Sequence, residues 1–262
     1  MNLIDSIILG FLQGLTEFLP ISSSGHLVLG KSMLHIYTPG AVLEILLHFG
    51  TLLAILIYYF KDLMFLAKGV FVKDRRKSSI DYILAVVVST LPAVIIGLSF
   101  NDFIEASFSN VTFVGVNLIF TGIILYLTRY RQNGQIQKIP LKAALIIGFA
   151  QALAILPGVS RSGMTISAAL FLGINSKEAA KFSFIMAIPV LFGAGLLHFN
   201  DTISLNGSQN QMNFIIGFLV SAVTGLICIL TLLKMLSKQK LWIFSIYCWS
   251  IGTISLLINL LN

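Results

Sequence analysis

The sequence predicts an all-α polytopic membrane protein, with six spanning helices plus two re-entrant helical hairpins in an inverted-topology repeat. Three observations predict it. Of 262 residues, 57% are hydrophobic and only 10% are charged, with a mean hydropathy of +0.95. A soluble domain carries about 25% charged residues, and so sparse a set cannot cover a globule of this size. Six apolar runs approach the roughly 20 residues needed to cross a hydrocarbon core. Two further apolar regions are interrupted by proline, glycine and hydroxyl residues. The charge deficit excludes an ordinary cytosolic enzyme, a disordered chain and a nucleic-acid binder. The net charge of +7 is therefore read as loop charge beside a membrane.

In chain order, residues 3–38 form the first interrupted region, broken by Pro20 and by Ser22-Ser23-Ser24-Gly25-His26. No basic stretch precedes it, since the first lysine is Lys31, so no cleaved signal peptide is expected. The spans Ala41–Phe60, Tyr82–Phe100 and Val111–Thr128 follow. Residues 141–173 form the second interrupted region, broken by Pro157-Gly158 and Ser160-Arg161-Ser162-Gly163. Ala179–Phe199, Asn213–Leu233 and Leu241–Leu261 complete the set. Irregular backbone at membrane depth survives only inside protein or along a wet cavity, which makes the two breaks re-entrant hairpins. Cys228 and Cys248 fall within apolar runs at no metal-ligand spacing, and are read as small core residues. The whole chain, 1–262, is read as a single integral membrane domain.

Charge sets the orientation. The 61–81 loop carries Lys61, Lys68, Lys73, Arg75, Arg76 and Lys77 against three acids; 129–142 and 234–240 carry only basic charge; 101–110 and 199–212 carry only acids. Basic loops belong in the cytoplasm. The chain then lies inside at Lys142 and again near Lys177, so the second hairpin enters from inside and the first from outside. Hairpins entering from opposite faces are the geometry of an inverted repeat, expected over roughly 1–130 and 139–262. The residues agree: Gly10-Phe11-Leu12-Gln13-Gly14-Leu15 resembles Gly148-Phe149-Ala150-Gln151-Ala152-Leu153, and at the same offset of 138 Ser22, Ser24 and Gly25 match Ser160, Ser162 and Gly163.

The candidate chemistry lies in the two breaks. Gln13 and Glu17 are spaced i, i+4 and share a helix face. A carboxylate in an apolar helix is costly and points to function. Ser22, Ser23, Ser24 and Gly25 offer hydroxyl and amide donors to an oxyanion, and His26 can serve as base, acid or nucleophile. In the second break Arg161 is the one arginine far from a basic loop. Its planar fork grips phosphate, helped by Ser160, Ser162, Gly163, Thr165 and the following helix N-terminus. Glu44 and His48 lie one turn apart near the start of the Ala41–Phe60 span, where an interfacial position explains them almost as well as a site. Lys31, His35, His198 and Asp5 read as interfacial. One carboxylate, one imidazole, one guanidinium and many hydroxyls suit a phosphate ester or anhydride. They do not suit a peptidase or an ion channel.

At these motifs the chain resembles the undecaprenyl-pyrophosphate phosphatase (bacitracin-resistance) family. Gln13–His26 fits that family's Glu/Gln-x-x-x-Glu and Pro-x-Ser-Ser-x-Gly-His pattern, and Pro157–Thr165 fits Pro-Gly-x-Ser-Arg-Ser-x-x-Thr; Phe182-Ser183-Phe184 and Ile188-Pro189 agree as well. The resemblance implies a multi-pass enzyme of the bacterial inner membrane with its site facing outside. It implies hydrolysis of undecaprenyl diphosphate to undecaprenyl phosphate and inorganic phosphate, recycling the carrier for peptidoglycan and conferring bacitracin resistance. It implies a divalent cation, Mg²⁺ or Ca²⁺, with Glu17 and Gln13 as its ligands. One departure matters: Gln13 stands where many relatives have Glu, one negative charge fewer. On this reading Glu17 orients a metal-bound diphosphate and Arg161 stabilises the transferring phosphoryl group. The nucleophile is His26, a water it activates, or Ser23 with His26 as base. Ser22, Ser24, Gly25, Ser160, Ser162, Gly163, Thr165 and Glu44 would contact substrate. Partners are the lipid substrate, membrane lipids and a possible homodimer. The rival reading is a lipid-phosphate flippase or small-anion transporter, because broken helices in inverted repeats also build carriers.

Overall fold

The computed structural model describes residues 2–34, 42–131, 134–197 and 211–261; His35, His198 and Asp201 lie outside these. Twelve α-helices account for almost all of it, and no strand occurs among the described residues. Helix α1 (Leu3–Phe18) opens on a capping box, with Asn2 and Asp5 exchanging side-chain hydrogen bonds with each other's backbone amides. Asp5, read as interfacial, therefore also caps the chain's first helix. The helix stops at Leu19, which is extended (φ −65°, ψ 142°) as a residue before proline prefers. Helix α2 (Ser23–Met33) restarts after Ser22, whose hydroxyl accepts from the Gly25 amide.

The apolar runs follow as α3 (Val42–Tyr58), α5 (Lys73–Ser99) and α7 (Val111–Leu127), with the short amphipathic α4 (Phe60–Gly69) and α6 (Asn101–Ser107) between them. Beyond a 3₁₀ turn at Thr128–Tyr130, the second half contributes α8 (Leu141–Leu153), α9 (Arg161–Phe171), α10 (Ser176–Leu197), α11 (Gln211–Ser237) and α12 (Ile243–Leu261). All six expected runs are helical where described. Among the described residues five helices are long and apolar enough to span, and α3 reaches span length only together with α4, from which it bends by 68°. The expected 61–81 loop is mostly helix, because α4 and the first turns of α5 carry its basic residues on helical rather than irregular backbone. Many Phe, Leu and Ile side chains are exposed, as an apolar solvent around the helices allows.

Helices α8, α9 and α11 begin 138 residues after α1, α2 and α5, respectively. Each hairpin's first helix packs closely on a long span. A Cβ on Gly10 would lie 2.5 Å from the Gly217 carbonyl of α11, and one on Gly148 would lie 2.5 Å from the Ser89 carbonyl of α5. Small residues permit such approach where helix association depends on packing alone. The tips of the two hairpins meet. A Cβ on Gly25 would come within 3.1 Å of Gly158 Cα, and one on Gly163 within 3.2 Å of Pro20. The second tip's free carbonyls are capped from α7: Asn117 Nδ2 donates to Pro157 O (2.8 Å) and Thr121 Oγ1 to Gly158 O (3.0 Å). That satisfies backbone groups that would be costly at membrane depth. Cys228 and Cys248 are free and buried.

Candidate active site

The interlocked tips place two helix N-termini side by side, because Ser22 caps α2 and Ser160 caps α9. The first residues inside those helices are Ser23 and Arg161. Both reach the carboxylate of Glu17, in the last turn of α1. Ser23 Oγ donates to Glu17 Oε2 at 2.6 Å, and Arg161 Nη2 donates to Glu17 Oε1. Gln13, one turn earlier, donates from Nε2 to Oε2 at 3.2 Å. His48 of α3 brings Nε2 to 3.6 Å from the same oxygen. The guanidinium is anchored a second time, by Nη1 donating to Ser183 O of α10 at 3.1 Å. One carboxylate thus collects groups from α1, α2, α3 and α9. Glu17 is only 6% exposed, where an unpaired charge would be prohibitive; the guanidinium supplies the compensating charge.

The structure brings Gln13, Glu17, Ser23 and Arg161 together, and it holds His26 slightly apart. His26 Nδ1–H donates to the Ser22 carbonyl (2.8 Å), and Nε2 takes the Tyr247 hydroxyl of α12 (2.8 Å). The two rings run nearly parallel, 13° between planes and 5.6 Å between centroids. The proton on Nδ1 leaves the lone pair of a neutral ring on Nε2. The Ser23 hydroxyl is directed at Glu17 rather than at His26.

The other hydroxyls serve mostly as framework. Ser22 Oγ and Ser160 Oγ accept from the Gly25 and Gly163 amides as N-caps. Ser24 Oγ lies 3.2 Å from Ser22 Oγ, and Ser162 Oγ lies 3.3 Å from Ser160 Oγ and donates to Leu19 O of the opposite tip. Thr165 Oγ1 bonds the Arg161 carbonyl (2.8 Å) and Ser183 Oγ (2.6 Å). Glu44 pairs with Lys31 (2.5 Å), while its backbone carbonyl accepts from His48 Nδ1. Tyr247 and Ser183 join the site without having been singled out for it, and His48, weighed in sequence between a site and an interfacial position, joins it too. His48 carried a local signal, its spacing from Glu44. Tyr247 and Ser183 carried none that separates them from core residues.

Two helix N-termini and an arginine form a strong oxyanion receptor. The site also offers cation donors. Gln13 Oε1 is buried without a hydrogen-bond partner, one turn from Glu17. Among the described residues no group of three or more His, Cys, Asp and Glu could hold a metal ion. A lone carboxylate with neutral oxygens fits a hard cation that takes its remaining ligands from substrate phosphate and water.

A sequence model described as bacitracin resistance protein BacA matches residues 6–254. An undecaprenyl-diphosphatase of Halothermothrix orenii is 42% identical, with 96% of each chain covered. Undecaprenyl-diphosphatase 3 of Bacillus cereus is 40% identical over 99% of this chain and 98% of its own. An undecaprenyl-diphosphatase of Methanococcus maripaludis is 43% identical over 94% of this chain and 96% of its own.

Proposed function

The chain belongs to the bacitracin resistance protein BacA family, and on that premise we propose that it is an undecaprenyl-diphosphatase. It is a multi-pass membrane hydrolase that cleaves the terminal phosphate from undecaprenyl diphosphate. The observation that carries this reading is the Glu17–Arg161 pair at the meeting of two helix N-termini. It is a charged receptor inside an apolar protein, with no structural need to exist there.

The terminal phosphate docks at the N-termini of α2 and α9, and Arg161 turns from Glu17 to the phosphate oxygens. The Ser23 hydroxyl, already on Glu17 Oε2, gives it a proton as its oxygen bonds to phosphorus. The bridging P–O bond breaks and undecaprenyl phosphate leaves. Once the Tyr247 hydroxyl turns away from His26 Nε2, that nitrogen deprotonates the water that cleaves the Ser23 phosphate, and Glu17 returns the proton to Ser23. Arg161 and the helix N-termini stabilise the charge on the transferring group. Gln13 and Glu17 would hold the divalent cation, Mg²⁺ or Ca²⁺, which when bound neutralises diphosphate charge. A carboxylate has about four lone-pair sites, enough for both duties.

The offset of 138 residues between paired helices supports an inverted repeat of residues 1–130 and 139–262 within one membrane domain. The alternating loop charge supports a site opening to the outside of a bacterial inner membrane. Membrane lipids would flank the substrate tail, and a homodimer remains part of the proposal. Purified protein in detergent tests the function. Release of inorganic phosphate from undecaprenyl diphosphate, with no second compartment, identifies a hydrolase. Binding without release would instead identify a flippase or small-anion transporter.

A further inference from the structure

We propose that a cavity among the basic loops is a binding site for an anionic phospholipid, whose phosphate it takes between residues 128–131 and 236–241. The site is separate from Glu17 and independent of the hydrolase reading. Leu170, on the cavity wall, lies about 13 Å along α9 from Arg161. The stretches 129–142 and 234–240 both reach the cavity, and together they carry seven basic residues and no acid. Among the described residues no carboxylate comes within ion-pair distance of any of the seven. Their charge is therefore unspent within the protein.

The cavity holds about 300 Å³, room for a phosphate with its glycerol but not for acyl chains. Leu170, Leu236 and Leu241, all buried, form its apolar wall, and Thr128, Arg131 and Gln239 its polar one. Two guanidiniums are braced by aromatic rings. Arg129 Cζ lies 5.1 Å from the Trp242 ring centroid, and Arg131 Cζ lies 5.8 Å from that of Phe171. Stacking uses the face of a guanidinium and leaves its edge donors for a ligand. Those donors form a fork that matches two phosphate oxygens at once.

Two observations make the occupant a lipid rather than a soluble anion. Trp242 stacks beside Arg129, and the neighbouring Tyr130 is 70% exposed; both residue types collect where a bilayer meets water. Val116, Phe120, Ile123 and Leu127 form an exposed apolar stripe at helical spacing along α7. Arg131 follows one turn later, through the 3₁₀ turn. A headgroup held at Arg131 lays its acyl chains on that stripe. Basic pockets at the ends of spanning helices attract anionic headgroups, whereas a zwitterionic headgroup brings no net charge to them.

The test uses the full chain, purified in detergent, with native mass spectrometry counting bound phosphatidylglycerol, cardiolipin and phosphatidylcholine. The expected result is one site per chain that takes either anionic lipid in preference to phosphatidylcholine. Replacing both arginines, Arg129→Gln with Arg131→Gln, lowers that affinity about 25-fold, roughly fivefold for each cation. Arg75→Gln with Arg76→Gln removes the same charge from residues 61–81 and leaves the affinity unchanged. Equal losses in the two double variants, or equal binding of all three lipids, overturns the proposal, because the attraction is then diffuse. Displacement of the lipid by millimolar inorganic phosphate also overturns it, in favour of a free-anion site. A photoactivatable phosphatidylglycerol should label residues 128–131 and 236–241 of the wild type. Labelling confined to other segments overturns the site, and that arm decides even where the arginine variants fail to fold.

Discussion

Replacing Arg161 with lysine keeps the charge and removes the fork. The guanidinium has two anchors, the Glu17 carboxylate and the Ser183 carbonyl at 3.1 Å, and its side chain is only 14% exposed. A lysine ammonium in the same place can hold Glu17 but cannot also span to Ser183. The resting protein loses one hydrogen bond, about 1 kcal/mol, so Arg161→Lys folds and extracts normally. Catalysis loses more, because a point charge replaces planar, two-pronged contact with the transferring phosphoryl group. Removing one oriented donor from a developing oxyanion costs about 2.7–4 kcal/mol, or roughly 10²–10³-fold in kcat. Arg161→Ala differs in kind. It strands the Glu17 carboxylate, whose loss of a buried partner costs about 3–5 kcal/mol of stability. The assay is initial-rate phosphate release from undecaprenyl diphosphate, paired with detergent melting curves on the same preparations. Arg161→Lys turning over within about threefold of wild type would refute the argument that the fork matters.

Ser23→Ala removes the attacking oxygen, and turnover is expected to fall by about 10⁴-fold or more. Acid quench of the wild type should trap a serine phosphate that maps to Ser23, and its absence would return the attack to His26 or water. Tyr247→Phe keeps the stacked ring and deletes the hydroxyl on His26 Nε2. A net loss near 1 kcal/mol predicts about a fivefold drop in kcat with KM unchanged, so a shift confined to KM would count against it. Gly148→Val forces a side chain toward the Ser89 carbonyl 2.5 Å from its Cβ, and overpacking of about 1–3 kcal/mol should lower Tm by several degrees.

The broken hairpins were legible because proline and Ser-Gly runs cannot continue an apolar helix, and their punctuation is local. Glu17 and Arg161 were legible for the complementary reason, since apolar surroundings make each charge expensive. Residues 61–81 misled because helix α4 and the first turns of α5 are charged and amphipathic, so hydropathy alone read a loop. The hydroxyls showed a subtler confusion. Ser22 and Ser160 cap helices, Ser162 reaches Leu19 O of the opposite tip, and Thr165 bonds Arg161 O within its own helix, roles that a sequence does not separate from phosphate contact. A hydroxyl beside a glycine satisfies a helix end or a ligand equally well in one dimension. His48 and Tyr247 enter through contacts between distant helices, α3 with α1 and α12 with α2, which no local periodicity encodes.

The central claim is that Glu17, joined to Ser23 and Arg161, is the chemical centre of a lipid diphosphatase. Glu17→Gln tests it most directly, because the side chain keeps its shape and its oxygen acceptor for Ser23 while losing the charge that takes a proton. In detergent, with the variant's melting curve matched to wild type, phosphate release from undecaprenyl diphosphate should fall by at least about 10²-fold. A Glu17→Gln protein that folds and releases phosphate at the wild-type rate would contradict the account.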